Sequence, residues 1–309
     1  MSNTTQSRSA AATEKRPPVR AGDKRRNSSY PYWFLLPAGL VFAVLFLVPT
    51  VMAFYFSLTR WTLFETEFIG LDNYVQFFSE PALVTGMKNT LIYAVVTSGL
   101  KVVLGMALAV LLTSQIVGRG FMRSVAFFPV LVSTIGIGLT FQALMNPTEG
   151  MINAALATVG IDGPGWLTDP AWALYSVALV DVWKGVGLAV VIYIAGILSI
   201  PKEYYEAARV DGASSWQTFW QITLPLARPA TVSVVILSLI GGLRSFDLIW
   251  AMTKGGPGFT SDVIASVIYK QYQAGFYGLS TAGNVVMFLL VTLIILPLFW
   301  WLNRKGDVS

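Results

Sequence analysis

Long apolar runs separated by short polar stretches dominate the chain. The runs cover residues 33–58, 90–112, 124–144, 171–200, 231–252 and 281–302. Each is close to, or longer than, the roughly 20 apolar residues that a membrane-crossing helix needs. Backbone N–H and C=O groups in hydrocarbon find no water, so each run must satisfy them within itself. The pattern predicts an all-α polytopic membrane protein with six transmembrane helices and both termini on one side. No internal repeat with a period of about 20 to 50 residues is evident, nor an inverted pair of three-helix halves, which weighs against a secondary transporter.

Composition sharpens this. Of 309 residues 55% are hydrophobic and 12% charged, with a mean hydropathy of +0.63, whereas a soluble domain carries roughly 25% charged residues. The chain has no His and no Cys, which removes Ser-His and Cys-His nucleophilic pairs, imidazole and thiolate metal sites, and disulfides. Asp181 and Asp247 could form an intramembrane carboxylate pair, but neither sits in a GxGD context and each has its own basic neighbour. The chain therefore reads as no enzyme, with no catalytic residue and no resident cofactor or metal.

Charge orients the helices. Fourteen of the 21 basic residues fall in the N-terminal tail, the segments after the second and fourth runs, and the C-terminus. Only Arg60, Lys88, Lys254 and Lys270 fall on the opposite face, and Lys101, Lys184 and Arg244 lie within runs. The positive-inside rule puts both termini in the cytoplasm of a plasma (inner) membrane. Lipid thus accounts for the net charge of +5 without nucleic acid. Residues 1–32 are a polar, basic tail expected to be disordered, and the run that follows reads as a true span rather than a cleaved signal. Residues 33–82 then hold the first transmembrane helix and an extracytoplasmic loop, residues 83–302 the main transmembrane domain, and residues 303–309 a cytoplasmic end. The loops at 146–170 and 253–280 are rich in Gly and Pro and predict turns with short surface helices.

The segment 199–228, SIPKEYYEAARVDGASSWQTFWQITLPLAR from Ser199 to Arg228, is long for a connector. Pro201 suits a first helical turn, Gly212 a helix stop, and Ser214 with Gln217 a capping box that starts a second helix. Leu224-Pro225 would end that helix before the fifth span. The residues alone leave two readings open: a surface for another protein around Glu206, Ala207 and Ala208, or an amphipathic hairpin lying on lipid through Tyr204, Tyr205, Trp216, Phe219 and Trp220.

The same residues resemble the cytoplasmic signature of permease subunits of ABC importers. Glu206-Ala207-Ala208 stands for its EAA triplet, followed by Gly212, nine residues, and Ile222-Thr223-Leu224-Pro225 for its I-x-LP. The stretches VDVWKGVGLAVVIYIAGILSIPKEYYEAARVDGAS and RSFDLIWAMTKGGPGFTSD are similar to the carbohydrate branch of that family, of the maltose-type first permease subunit. The resemblance covers residues 83–302, the first span and the FIGLDNYVQFF segment at 68–78. It implies an ABC type-1 importer transmembrane domain whose loop at 206–212 seats in an ATPase subunit. Glu206, Asp211 and Gly212 would then carry the mechanical link. It further implies a second permease subunit, two ABC ATPase subunits that bind ATP and Mg, and an extracytoplasmic sugar-binding protein. The cargo would be a mono- or oligosaccharide, with polyols or glycerol phosphate as the alternative. By the same resemblance, Lys184, Gly185 and Leu188 in the fourth span and Gly241, Gly242 and Ser245 in the fifth would line the substrate path, making a roomier chamber than the maltose-type one. Close helix packing by the small residues is the competing reading.

Charges inside the spans add one more expectation. Asp181 and Lys184, and likewise Arg244 and Asp247, lie three apart, so each pair would share one helix face and offset its own charge. Lys101 reads as a snorkelling or inter-subunit residue. Trp183, Phe246 and Trp250 are candidate stacking faces for a sugar.

Overall fold

The computed structural model describes residues 32–304. The basic tail up to residue 31 and the last five residues of the expected cytoplasmic end lie outside the described residues. The chain divides into two compact units at Pro49 and Thr50. The described part of the first is one apolar helical run, the start of α1 (Trp33–Phe56).

After α1 the chain makes a two-stranded hairpin, β1 (Thr59–Trp61) with β2 (Thr66–Phe68), in which Arg60 faces Glu67. Helices α2 (Asp72–Ser79), α3 (Pro81–Thr113), α4 (Arg119–Leu131), α5 (Thr134–Leu144), α6 (Met151–Thr158) and α7 (Ala173–Leu198) follow. Then come α8 (Lys202–Val210), α9 (Ser215–Leu226), α10 (Arg228–Leu243), α11 (Asp247–Met252), α12 (Ile264–Gln273) and α13 (Tyr277–Arg304).

Four helices, α1, α3, α7 and α13, are long and apolar enough to cross a membrane, and the spans number six when each of two bent pairs counts as one. The first pair, α4 and α5, turns by 96° at Val132–Ser133. Pro129 removes a helical N–H just before the break, and the Ser133 hydroxyl then caps α5 by accepting from Gly136 N at 3.5 Å. The second pair, α9 and α10, bends by 69° around Ala227, with Pro229 in the first turn of α10.

The third span is therefore not one helix over 124–144, and two further expectations are corrected here. The fifth span is not one helix over 231–252: α10 stops at Leu243, Arg244 forms its C-cap, and the chain restarts at Asp247. Arg244 and Asp247 consequently share no helix face, and they form no ion pair among the described residues. Nor does Leu224-Pro225 end the helix before it. Phe219–Thr223 forms a π turn, in which Leu224 N reaches back five residues to Phe219 O. Pro225 then sits in the first turn of the next helical stretch, and the break comes at Ala227.

The core lies where α3 packs along α7, with α10 against both. Small residues permit this approach, as expected for helices that gain nothing from leaving lipid. A Cβ on Gly105 of α3 would come within 2.7 Å of the Ala189 Cβ on α7. Arg123 Nη2 donates to Leu112 O at 2.6 Å, satisfying a carbonyl at the C-terminus of α3. At the opposite end, Asn89 Nδ2 donates to the carbonyls of Thr260 and Asp262, both at 2.9 Å, and Ile264 N donates to Thr90 Oγ1 at 2.8 Å. These bonds fasten the glycine-rich loop before α12 to the start of α3.

Candidate functional site

Two regions carry the candidate residues: the turn between α8 and α9, and a cavity among α3, α7 and α10.

Helix α8 begins after Pro201 at its N-cap, with Glu203 in its first turn and Arg209 in its last, both favourable to the helix dipole. It ends in a complete Schellman motif: Ala213 N donates to Ala208 O at 2.9 Å and Gly212 N to Arg209 O at 3.2 Å, with Gly212 at φ +74°. Ser214 then opens α9 through the expected capping box. Gln217 N donates to Ser214 Oγ at 3.3 Å, and Ser214 N donates to Gln217 Oε1 at 2.8 Å. Tyr205 Oη and Thr223 Oγ1, 3.3 Å apart, tie the two arms.

Exposure sorts this segment into two roles. Glu206, Ala207, Asp211 and Gly212 are exposed, whereas Ala208 is buried. Ile222 and Leu224 are half-buried and Pro225 exposed. Phe219 and Leu224 pack on a cluster formed by Ala109 and Leu112 of α3, Tyr193 and Ile197 of α7, and Ala230 and Val234 of α10. The arm that follows the exposed turn is thereby seated in the three-helix core. Trp216 and Trp220, in edge-to-face contact at 5.5 Å, remain exposed on α9.

The cavity holds about 220 Å³. Lys184, Gly185 and Leu188 of α7 and Gly241 of α10 line it together, joined by Lys101 of α3 and Ser238 of α10. Gly241 has open space where a Cβ would stand. Gly242 points elsewhere: a Cβ there would lie 2.7 Å from Ala94 Cα and 2.9 Å from Thr97 Oγ1 of α3. It is a packing contact of α10 on α3. Ser245 lies past the end of α10, half-buried, and is not among the residues lining this cavity.

The charge pairing in the spans also differs from expectation. Asp181 does not pair with Lys184; its Oδ2 accepts from Lys101 Nζ at 2.6 Å, joining α7 to α3. Lys101 is buried, with its side chain only 9% exposed, so it does not snorkel. Eighty positions separate the partners, and no spacing rule within one helix could have matched them. The retrospective signal is Gly185, whose missing side chain leaves room for the lysine: a Cβ there would stand 2.7 Å from Lys101 Cε. Among the aromatic candidates, Trp183 meets Phe141 at 5.3 Å, while Phe246, Trp250 and Tyr269 form their own three-ring cluster.

Residues 101–305 match the sequence profile of the binding-protein-dependent transport system inner membrane components. The probable ABC transporter permease YurN of Bacillus subtilis is 35% identical over 91% of this chain and 99% of its own length. The trehalose/maltose transport system permease MalF of Thermococcus litoralis is 33% identical over 87% of this chain and 92% of its own. Among solved structures, a chain of a bacterial ABC transporter involved in import of the acidic polysaccharide alginate superposes with a TM-score of 0.77. That chain is 26% identical, and the match covers 90% of this chain and 96% of the other.

Proposed function

This chain belongs to the family of binding-protein-dependent transport system inner membrane components, and on that premise we propose that it forms the translocation path of an ATP-driven sugar importer with a second permease subunit. Two ABC ATPase subunits supply the energy and bind ATP and Mg, and an extracytoplasmic binding protein delivers a mono- or oligosaccharide. The observation that carries this reading is the turn at 206–212, an exposed Glu206-Ala207 and Asp211-Gly212 surface on a rigid Schellman turn whose following arm is seated in the core. Such a lever suits a partner that changes shape on binding nucleotide. A ligand shifts a two-state equilibrium only through contacts that differ between the states, and a rigid-body shift of α8 and α9 supplies that difference.

Sugar as the cargo class is supported by the trehalose/maltose relative and by the polysaccharide importer of similar structure. The cavity chemistry agrees. A phosphate ester would call for a dedicated basic cluster, whereas one of the two lysines here is already engaged by a carboxylate. Both termini are assigned to the cytoplasm by the distribution of Lys and Arg.

The test is to purify the chain with its co-expressed neighbours, reconstitute the complex in liposomes, and measure ATP hydrolysis with the binding protein loaded from a panel of sugars and polyols. Stimulation by a loaded saccharide is the expected result. Uptake insensitive to ATP depletion, with no ATPase co-purifying, would overturn the reading.

A further inference from the structure

The buried ion pair between α3 and α7 poses a question that packing does not answer. Two charges placed within spans lose their hydration, and apolar residues of similar size are often as stabilising or more so. Stability alone gives no reason for keeping Lys101 and Asp181 charged. Their position gives one, because the ammonium borders the cavity lined by the other candidate path residues.

We propose that Lys101 is a cargo-contacting residue of the translocation cavity, its ammonium aimed by Asp181 and seated against Gly185 so that it donates hydrogen bonds to saccharide hydroxyls. The inference rests on the importer reading above and deepens it. An ammonium has three N–H donors. Asp181 Oδ2 takes one at 2.6 Å, and no other partner of Lys101 Nζ is found among the described residues. Two donors remain on a side chain whose slight exposure opens toward the cavity. Asp181 is not among the residues lining the cavity, so it acts by holding Lys101 in place, and the ammonium is the group of the pair that meets saccharide oxygens. Gly185 completes the arrangement, since a Cβ at that position would lie 3.0 Å from Lys101 Nζ and displace it. The remaining lining is largely apolar, with Val130, Leu188 and Leu237 facing the space, so the polar contacts available to a sugar are few and fixed.

The reconstituted full complex tests this with tritiated trehalose and maltose as probes, at saturating loaded binding protein. The variant K101M/D181L replaces the pair by apolar residues that can pack together. It is expected to assemble, with an unfolding midpoint no lower than the parent's, and to take up the probe at least tenfold more slowly. Uptake equal to the parent's in the assembled variant overturns the proposal. If that variant fails to assemble, Gly185→Ala serves: it keeps both charges and dislodges the ammonium, and a several-fold loss of uptake is expected. Unchanged uptake in Gly185→Ala overturns the proposal equally. Failure of the importer reading would show differently, as no ATP-dependent uptake of any saccharide by the parent complex.

Discussion

Ala213 N donates to Ala208 O at 2.9 Å across Gly212, which closes helix α8 and turns the chain into α9. The bond requires Gly212 at φ +74°, where an L side chain costs about 1–2 kcal/mol. No neighbouring atom would meet a Cβ there, so the penalty of a substitution is conformational rather than steric. Gly212→Val, β-branched and worst suited to this region, is expected to leave membrane insertion intact while separating ATP hydrolysis from uptake. The check is the ratio of sugar transported to ATP hydrolysed in liposomes. A ratio equal to the parent's would remove the turn from the coupling path.

Much of this was legible because it is local. Apolar run length sets the spans, and the glycine stop and the Ser214–Gln217 box set the turn between α8 and α9 within a few residues of sequence. Two kinds of feature are not local. The breaks at 132–133 and 244–246 escape hydropathy, which registers composition and is blind to a bend made by a proline, a cap or a C-terminal stop. Charge pairing escapes helical spacing, because the partner of Asp181 lies on another helix and not three residues away on its own. Gly241 and Gly242 show the same limit, since adjacent residues on a helix face differently and only the packing of α10 on α3 reveals which faces the cavity.

The capping box of α9 gives a second prediction. Ser214 supplies both halves of the box, its hydroxyl accepting from Gln217 N and its amide donating to the Gln217 side chain. Ser214→Ala removes the first and is expected to cost about 1 kcal/mol. The amides of residues 215–218 should then exchange faster with deuterated solvent, and Ser214→Asp, another strong N-cap, should restore protection. Equal exchange in parent and alanine variant would mean that the arm is held by Phe219 and Leu224 in the core instead.

The paired glycines of α10 give a third. A methyl at Gly242 would press on Ala94 and Thr97, and overpacking of this kind typically costs about 1–3 kcal/mol. Gly242→Ala should lower the unfolding midpoint of the purified complex. Gly241 has no atom within 4 Å of a Cβ and borders the cavity. Gly241→Leu should preserve the midpoint and slow uptake, more for an oligosaccharide than for a monosaccharide. A reversed pattern, with Gly241→Leu unstable and Gly242→Ala silent, would refute the division between lining and packing.

The loop between α11 and α12 gives a prediction about pH. The Asp262 side chain is fully buried, and its Oδ2 accepts from Lys270 Nζ at 2.6 Å while its Oδ1 accepts from Ser266 Oγ at 2.7 Å. The carboxylate occupies the space that a side chain at Gly255 would need, and Lys270 also sits over the Phe259 ring at 5.1 Å. Burial raises the Asp262 carboxyl above its ordinary value, and the Lys270 and Ser266 contacts pull it back only in part. The folded loop therefore keeps a proton to higher pH than the unfolded chain does. The favourable contribution of this site is fully present below the unfolded carboxylate range, near pH 4. It is lost as pH rises through the raised folded value, because in that window the folded state binds more protons. Asp262→Asn keeps an acceptor for Ser266 and removes the titration. The change in unfolding midpoint between about pH 4 and about pH 7.5 should accordingly shift in the variant, with the component that favours the acidic side absent. An identical pH dependence in parent and variant would show that Lys270 holds the carboxylate ionised throughout, and that the ion pair rather than burial governs this loop.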